Sequence, residues 1–451
     1  MRKRLLFLFL PQLFCTSLSE AQTWTLDDCL RYAMENNISL GKAGVTRQTA
    51  AETTRQSKAQ VLPSLSFSTS HSVAYTPWLL DGTATVTDGR VEQSVDKVSY
   101  NGQYSLSANW TVWNGNRNYN QVRLNALAEQ QALIDSIMTA RNIEEQIMQL
   151  YVQILYTKEA ISVNKATLEA AKLNEQRGSH MVDVGQMSRA DLSLLTAERA
   201  QDEYNVVEAE SQERNYKRQL KELLQLTTEE PFDIAMPEYT EAMALEPVPA
   251  LATVYSGALE SRPELKSAML SLKSAEVQGR IARAQRMPTL SMTASVSAGT
   301  NSLTDEAWAA QMKANVRSGA SLSLSVPLFD QRTTRTAVNK AKLQRQDAEL
   351  EIRNRQTALY STIENYWIQA GNYQKQYVAA KVSTQSAQDS YDLLSEQFAV
   401  GLKNIVELQD GKTRLLSARQ SELQSKYMTI LNLRMLAFYR NGVMSGDTAE
   451  H

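Results

Sequence analysis

Cysteine, histidine and proline are all scarce: two, three and ten residues in a chain of 451. Cys15 falls in an apolar N-terminal stretch, and the bulky Phe14 before it argues against lipid attachment there. Cys29 is then alone, so neither an internal disulfide nor a cysteine metal cluster can form, and it is expected as a small buried residue early in a helix. His71, His180 and His451 are far apart and near no metal-ligand or nucleophile motif, and no glycine-rich phosphate loop occurs. These absences argue against an enzyme and against any cofactor or metal. A net charge of −2 gives no reason to expect nucleic acid. Beyond the N-terminus no stretch is long and apolar enough for a transmembrane helix.

The first residues read as a secretory signal. Arg2, Lys3 and Arg4 precede the apolar Leu5 to Leu10, and Ser19-Glu20-Ala21 offers a cleavage site after Ala21. Removing 1–21 takes away three cations and one carboxylate, so the net charge goes from −2 to −4. Residues 25–60 read as helix behind a Thr25 cap, stopped at Pro63. Strict alternation follows: Leu65, Phe67, Thr69, Val73 and Tyr75 against Ser64, Ser66, Ser68, Ser70 and Ser72. After a polar loop at about 76–98, Tyr100, Tyr104, Leu106, Ala108, Trp110 and Val112 alternate with Asn101, Gln103, Ser105, Ser107, Asn109 and Thr111.

From Asn114 to about Gln225 there is no proline. Ile143, Ile147, Leu150, Ile154 and Ile161 make a heptad-like stripe. A break at Gly178 to Gly185 would give two antiparallel helices, the first of about 60 residues and roughly 90 Å. Residues 226–250 hold four of the ten prolines and read as a linker. The second half then repeats the first. Leu62-Pro63-Ser64-Leu65 matches Met287-Pro288-Thr289-Leu290, Trp113-Asn114 matches Phe329-Asp330, and Val184-Gly185 matches Val400-Gly401. Strands are expected at about 62–75, 100–113, 288–299 and 318–329, and further long helices at about 331–397 and 403–440. The divisions are a signal peptide 1–21, a first repeat 22–225, the linker 226–250, a second repeat 251–440 and a tail 441–451.

The polar faces of these strands carry hydroxyls and amides but no charge, and each strand is near the 9–11 residues a tilted membrane strand needs. Tyr75, Trp78 and Tyr100 at the loop end, with Trp110, Trp113 and Phe329 at the helix end, fit membrane-interface girdles. Four strands cannot close a barrel, and open edges in lipid leave backbone groups unpaired. Three copies would supply twelve strands; two would give eight, with little lumen. The fold expected is mainly α with a pair of membrane β-hairpins: a homotrimeric twelve-stranded barrel in outer-membrane lipid, continuing into a long periplasmic α-helical barrel. Two rivals remain: a stand-alone outer-membrane pore, for which such helices have no use, and a soluble periplasmic coiled-coil adaptor or scaffold, which would be extracted without detergent.

With these features the chain resembles the TolC family of outer-membrane efflux proteins. The most specific segment, Phe398-Ala399-Val400-Gly401-Leu402-Lys403-Asn404-Ile405-Val406-Glu407-Leu408, is similar to the family's helix-tip motif, and Val184 to Leu192 is its counterpart. The resemblance implies an exit duct that works with a periplasmic adaptor and an inner-membrane transporter of RND, ABC or MFS type. It implies adaptor docking at the turns around Val184, Gly185, Val400, Gly401 and Leu402. It places Glu407 and Asp410 in the acidic rings of a periplasmic gate, and Lys403 and Asp191 as the basic and acidic members of its lock. Phe398 stands where the family's best-studied member has a tyrosine: the ring is kept and the hydroxyl is not.

Overall fold

The computed structural model describes residues 23–77, 83–87, 90–94, 97–227, 232–237 and 240–442. The signal peptide, Cys15, Trp78, His451 and residues 443–451 of the tail lie outside the described residues. In chain order the elements are β1 (Thr23–Trp24), α1 (Leu26–Asn36), α2 (Ile38–Ala59), β2 (Ser64–Tyr75), β3 (Thr83–Thr87), β4 (Arg90–Ser94), β5 (Val98–Trp113), α3 (Arg117–Asp183) and α4 (Arg189–Leu223). They continue with β6 (Asp233–Ile234), α5 (Thr240–Ala244), α6 (Leu251–Ser261), α7 (Pro263–Ala284), β7 (Thr289–Asn301), α8 (Trp308–Ala314), β8 (Arg317–Ser325), α9 (Thr333–Ala399) and α10 (Ile405–Asn441).

The duplication holds at the level of element ends. Leu26–Asn36 and Ile38–Ala59 fall on Leu251–Ser261 and Pro263–Ala284 with one constant offset, and Arg117–Asp183 falls on Thr333–Ala399 with another. Details recur too. The strand-to-helix turns have left-handed backbones at Gly115 and Asn116 in one repeat and at Gln331 and Arg332 in the other. Asn114 accepts the Asn118 N–H just as Asp330 accepts that of Thr334.

Several expectations need correction. The helix expected over 25–60 is two helices, because Asn37 takes an extended backbone (ψ 122°) and turns its side chain to the N–H of Ser39 and the carbonyl of Leu223. The break expected at Gly178 to Gly185 falls at its Gly185 end, after α3 closes at Asp183; Gly178 itself is buried within α3, where a Cβ would lie 2.5 Å from Leu195. The loop at 76–98 contains the β3–β4 hairpin, and the linker contributes β6 and α5. The fourth strand ends at Ser325 rather than near 329, just before Val326-Pro327, and proline cannot donate to a ladder. That strand also starts on Arg317, so its polar face is not free of charge.

Two compact units divide the chain. One comprises residues 42–138 and 263–358 and contains the four-stranded sheet. Its order is β2-β5-β7-β8, antiparallel throughout, so β2 and β8 are edges and β5 and β7 are the inner strands. Through the middle of the sheet the register brings apolar residues together on one face and polar ones on the other. Phe67, Leu106 and Val296 form one row, and Leu65, Ala108, Ala294 and Ala320 the next. On the other face Ser66, Ser107, Ser295 and Gly319 align, as do Ser64, Asn109, Thr293 and Ser321. Among the described residues no layer covers the apolar rows: Leu65, Phe67 and Val73 stay 67–70% exposed, and Leu322 and Leu324 67% and 65%. A β-sandwich would have buried them.

The other unit comprises residues 23–41, 139–262 and 359–442 and is helical apart from the parallel β1–β6 pair. A Thr25–Asp28 capping box starts α1. Its core gathers Ile147, Ile154, Leu220, Val254, Ile363, Met435, Leu436 and Phe438. Cys29 is fully buried here, and burial pushes its thiol up to about 12, so it is an inert packing residue. α10 is bound to α3 by Lys426 and the Tyr427 hydroxyl, both 2.6 Å from the Glu159 carboxylate.

Candidate gate at the helical turns

Both tip turns lie in the helical unit and have one construction. Gly185 (φ 74°) and Gly401 (φ 77°) take the left-handed conformation that lets a chain leave a helix and reverse. The N–H groups of Gln186 and Leu402 reach back to the carbonyls of Met181 and Gln397, five residues earlier, at 2.7 and 2.9 Å. Side-chain caps then start the return helices. Ser188 Oγ accepts the Asp191 N–H at 3.1 Å, and Asn404 Oδ1 accepts that of Glu407 at 3.0 Å. Around the turns Val184, Val400, Leu402 and Val406 project 64–75% exposed, an apolar tip on each hairpin.

The acidic and basic residues singled out in the sequence are engaged locally. Glu407 closes a capping box by accepting the Asn404 N–H at 3.2 Å, and it pairs with Lys403 one turn away. Lys403, and after it the Asn404 N–H, hold the Glu407 carboxyl below its ordinary value. Asp410 pairs with the exposed Arg414 at 2.8 Å. Asp191 accepts the Ser188 hydroxyl at 2.8 Å. Within the chain, then, Lys403 and Asp191 each hold a partner of their own hairpin rather than each other. Phe398 is 4% exposed and packs with Leu195, Ile405 and Leu408, bordered by Met187 and Tyr391. It joins the two hairpins by its ring alone, so this contact needs no hydroxyl.

Sequence reasoning passed over a buried ionic group further up the same helices. Lys412, on α10, is 7% exposed and pairs with Asp202 and, at 2.7 Å, with Glu198, both on α4. Burial lowers the tendency of Lys412 to hold its proton, but the hydrogen bonds it donates to Asp202 and Glu198 outweigh it and raise its pKa. Gln409 adds a bond to Glu198 at 3.1 Å. The signal was there: Ile405, Leu408, Lys412 and Leu415 are spaced three, four and three, which puts a lysine on an apolar seam.

At the sheet, the side chains of Tyr75, Tyr100, Trp110 and Trp113 share the apolar face, and the Trp110 indole donates to Val61 O at 2.9 Å. Phe329 follows β8 and is 87% exposed. Missed were His71, Tyr104 and Trp308, stacked edge to face in series at the loop end with ring centroids 5.3 and 6.0 Å apart. Among the described residues no cluster of His, Cys, Asp or Glu could hold a metal, and no helix is long and apolar enough to cross a membrane.

The chain's fold is shared with solved outer-membrane channels. The CmeC outer membrane channel of Campylobacter jejuni matches at 19% identity over 94% of this chain and 87% of its own, with a TM-score of 0.74. The outer membrane protein VceC of Vibrio cholerae matches at 16% identity over 91% and 95%, with a TM-score of 0.73. The MtrE outer membrane channel of Neisseria gonorrhoeae, in its open state, matches at 18% over 92% and 88%, also with a TM-score of 0.73. No curated protein sequence matches the chain. Residues 254–441, nearly the whole second repeat, match the family model described as "Outer membrane efflux protein". Over nearly its whole length the chain has the fold of these solved outer-membrane channels. Its second repeat carries the sequence pattern of the outer membrane efflux protein family.

Proposed function

We propose that this chain is the outer-membrane exit duct of a tripartite efflux or type I secretion system, gated at the periplasmic tips of its helical hairpins. The observation that carries the reading is the sheet. It has one bare apolar face, one hydroxyl face and two unpaired edges, a form that lipid outside, water inside and neighbouring copies at both edges would satisfy together. Three copies complete twelve strands around a lumen lined by the serine rows. An inner-membrane transporter supplies cargo and energy, and a periplasmic adaptor meets the apolar tips at Val184, Gly185, Val400, Gly401 and Leu402. Glu407 and Asp410, repeated in each copy, form acidic rings that attract cations. Lys403 and Asp191 hold neighbouring hairpins in the closed state by exchanging their local partners for each other.

Single-channel recording in planar bilayers tests both parts. The wild-type protein should form channels of low conductance, and Asp191→Ala or Lys403→Ala should raise it. Unchanged conductance in both variants would remove the lock; no channels from any form would remove the duct.

A further inference from the structure

The sheet-bearing unit has a cavity of about 670 Å³ where two inner strands meet their helices. Arg123 of α3 and Arg280 and Arg283 of α7 line it, with Tyr119, Met287 and the Gly115 turn. No carboxylate lines it, and none of the three arginines forms an ion pair among the described residues. Arg280 and Arg283 are one turn apart and share a helix face. Arg283 donates Nε–H to the Gly279 carbonyl at 3.1 Å, which fixes the side chain and leaves its terminal nitrogens free to donate.

The internal repeat supplies a comparison. Arg55 occupies in α2 the place of Arg280 in α7, and it is paired with Glu52. The position matching Glu52 is Val277 in α7, so the second repeat keeps the cation and has dropped its carboxylate. Gly115, with φ 65°, closes the other side of the cavity: a Cβ there would come within 2.5 Å of Met287.

We infer that this cavity binds the anionic phosphodiester headgroup of a glycerophospholipid from the leaflet nearest the helices. Arginine forks match phosphate oxygens bidentately and, being weakly hydrated, release water readily. The cavity opens two residues after Trp113 and ends one residue before Pro288, at the level of the interfacial tryptophans, where a headgroup lies. The exposed ring of Tyr119 and the thioether of Met287 give apolar surface to the glycerol and upper acyl chain. β5 and β7 have both neighbours within the chain, so the cavity is formed by one subunit and not at an edge that another copy would pair with. The assignment rests on the membrane orientation of the sheet proposed above.

Native mass spectrometry of the detergent-solubilised full chain, with phosphatidylglycerol, phosphatidylcholine or inorganic phosphate added, provides the test. Phosphatidylglycerol should be retained over phosphatidylcholine. Arg280→Gln/Arg283→Gln should reduce retention roughly tenfold or more, from the loss of two charge-assisted contacts. Arg335→Gln, outside the cavity, should leave retention unchanged, and Arg280→Lys/Arg283→Lys should restore part of it. Equal retention in the glutamine variant at unchanged thermal stability would overturn the site. Displacement of the lipid by equimolar inorganic phosphate would overturn the lipid assignment. The glutamine variant should still form wild-type channels in bilayers, so loss of the lipid site and failure of the duct reading give different results.

Discussion

Lys412 is the residue whose chemistry is most constrained. It is a cation on an apolar seam, held by two carboxylates of the neighbouring helix, with Asp202 buried as deeply as itself. Removing one member of such a group leaves uncompensated buried charge, which costs about 3–5 kcal/mol. Lys412→Met should therefore destabilise the helical unit by roughly that amount, because Asp202 and Glu198 would face each other without a cation. Lys412→Met/Asp202→Leu should recover most of the loss, since an apolar pair suits the seam. Thermal unfolding of the purified variants reads the difference; a double variant no better than the single one would mean that the ions matter for something other than mutual compensation. The raised pKa of Lys412 places its contribution in full below the ordinary lysine value of 10.5, with loss only as pH rises through the higher folded value.

At the scale of elements, the capping box of α10 carries a pH dependence of the opposite sign. Glu407 is held below its ordinary value of 4.5, so its support of the turn is complete above that value and is lost as pH falls through the folded value. Hydrogen exchange in the first turn of α10, corrected for intrinsic pH effects, should quicken in acid. Glu407→Gln keeps the box acceptor but should abolish the pH step; a step of the same size in the variant would assign it to another group. Elements were also where the sequence was easiest to read. Repeats, alternating strands, long helices and both glycine turns follow from periodicities of two and of seven and from residues that only a left-handed turn requires. The break at Asn37 escaped because an asparagine interrupts a helix only when its side chain finds partners, here Ser39 N–H and Leu223 O. The repeat held the clue, since Pro263 matches Ile38, and a proline disfavours helix in the residue before it. Gly178 misled for the reverse reason: its missing side chain serves the approach of Leu195, not a turn. The Lys412 group depends on which helices adjoin, which periodicity alone does not state.

For the whole molecule the decisive question is which solvent each face of the sheet meets. Leu106 sits midway along β5 in the row of Phe67 and Val296, and Ser107, its neighbour, sits in the row of Ser66 and Ser295. If the apolar rows face hydrocarbon, Leu106→Arg places a guanidinium near the bilayer midplane at a cost of about 2–4 kcal/mol, and assembly into membranes should fail or fall sharply. Ser107→Arg puts the same charge into a water-filled lumen; it should assemble normally and shift ion selectivity toward anions. A soluble scaffold would show neither asymmetry, because both faces would meet water and detergent would make no difference to extraction. A stand-alone pore would share the asymmetry but would not lose efflux when the tip turns are altered. Membrane incorporation and reversal potential of the two arginine variants, measured side by side, therefore test the orientation from which the closed barrel, the hydroxyl-lined lumen and the headgroup site all follow. Equal incorporation of both variants, or preferential loss of Ser107→Arg, would overturn all three together.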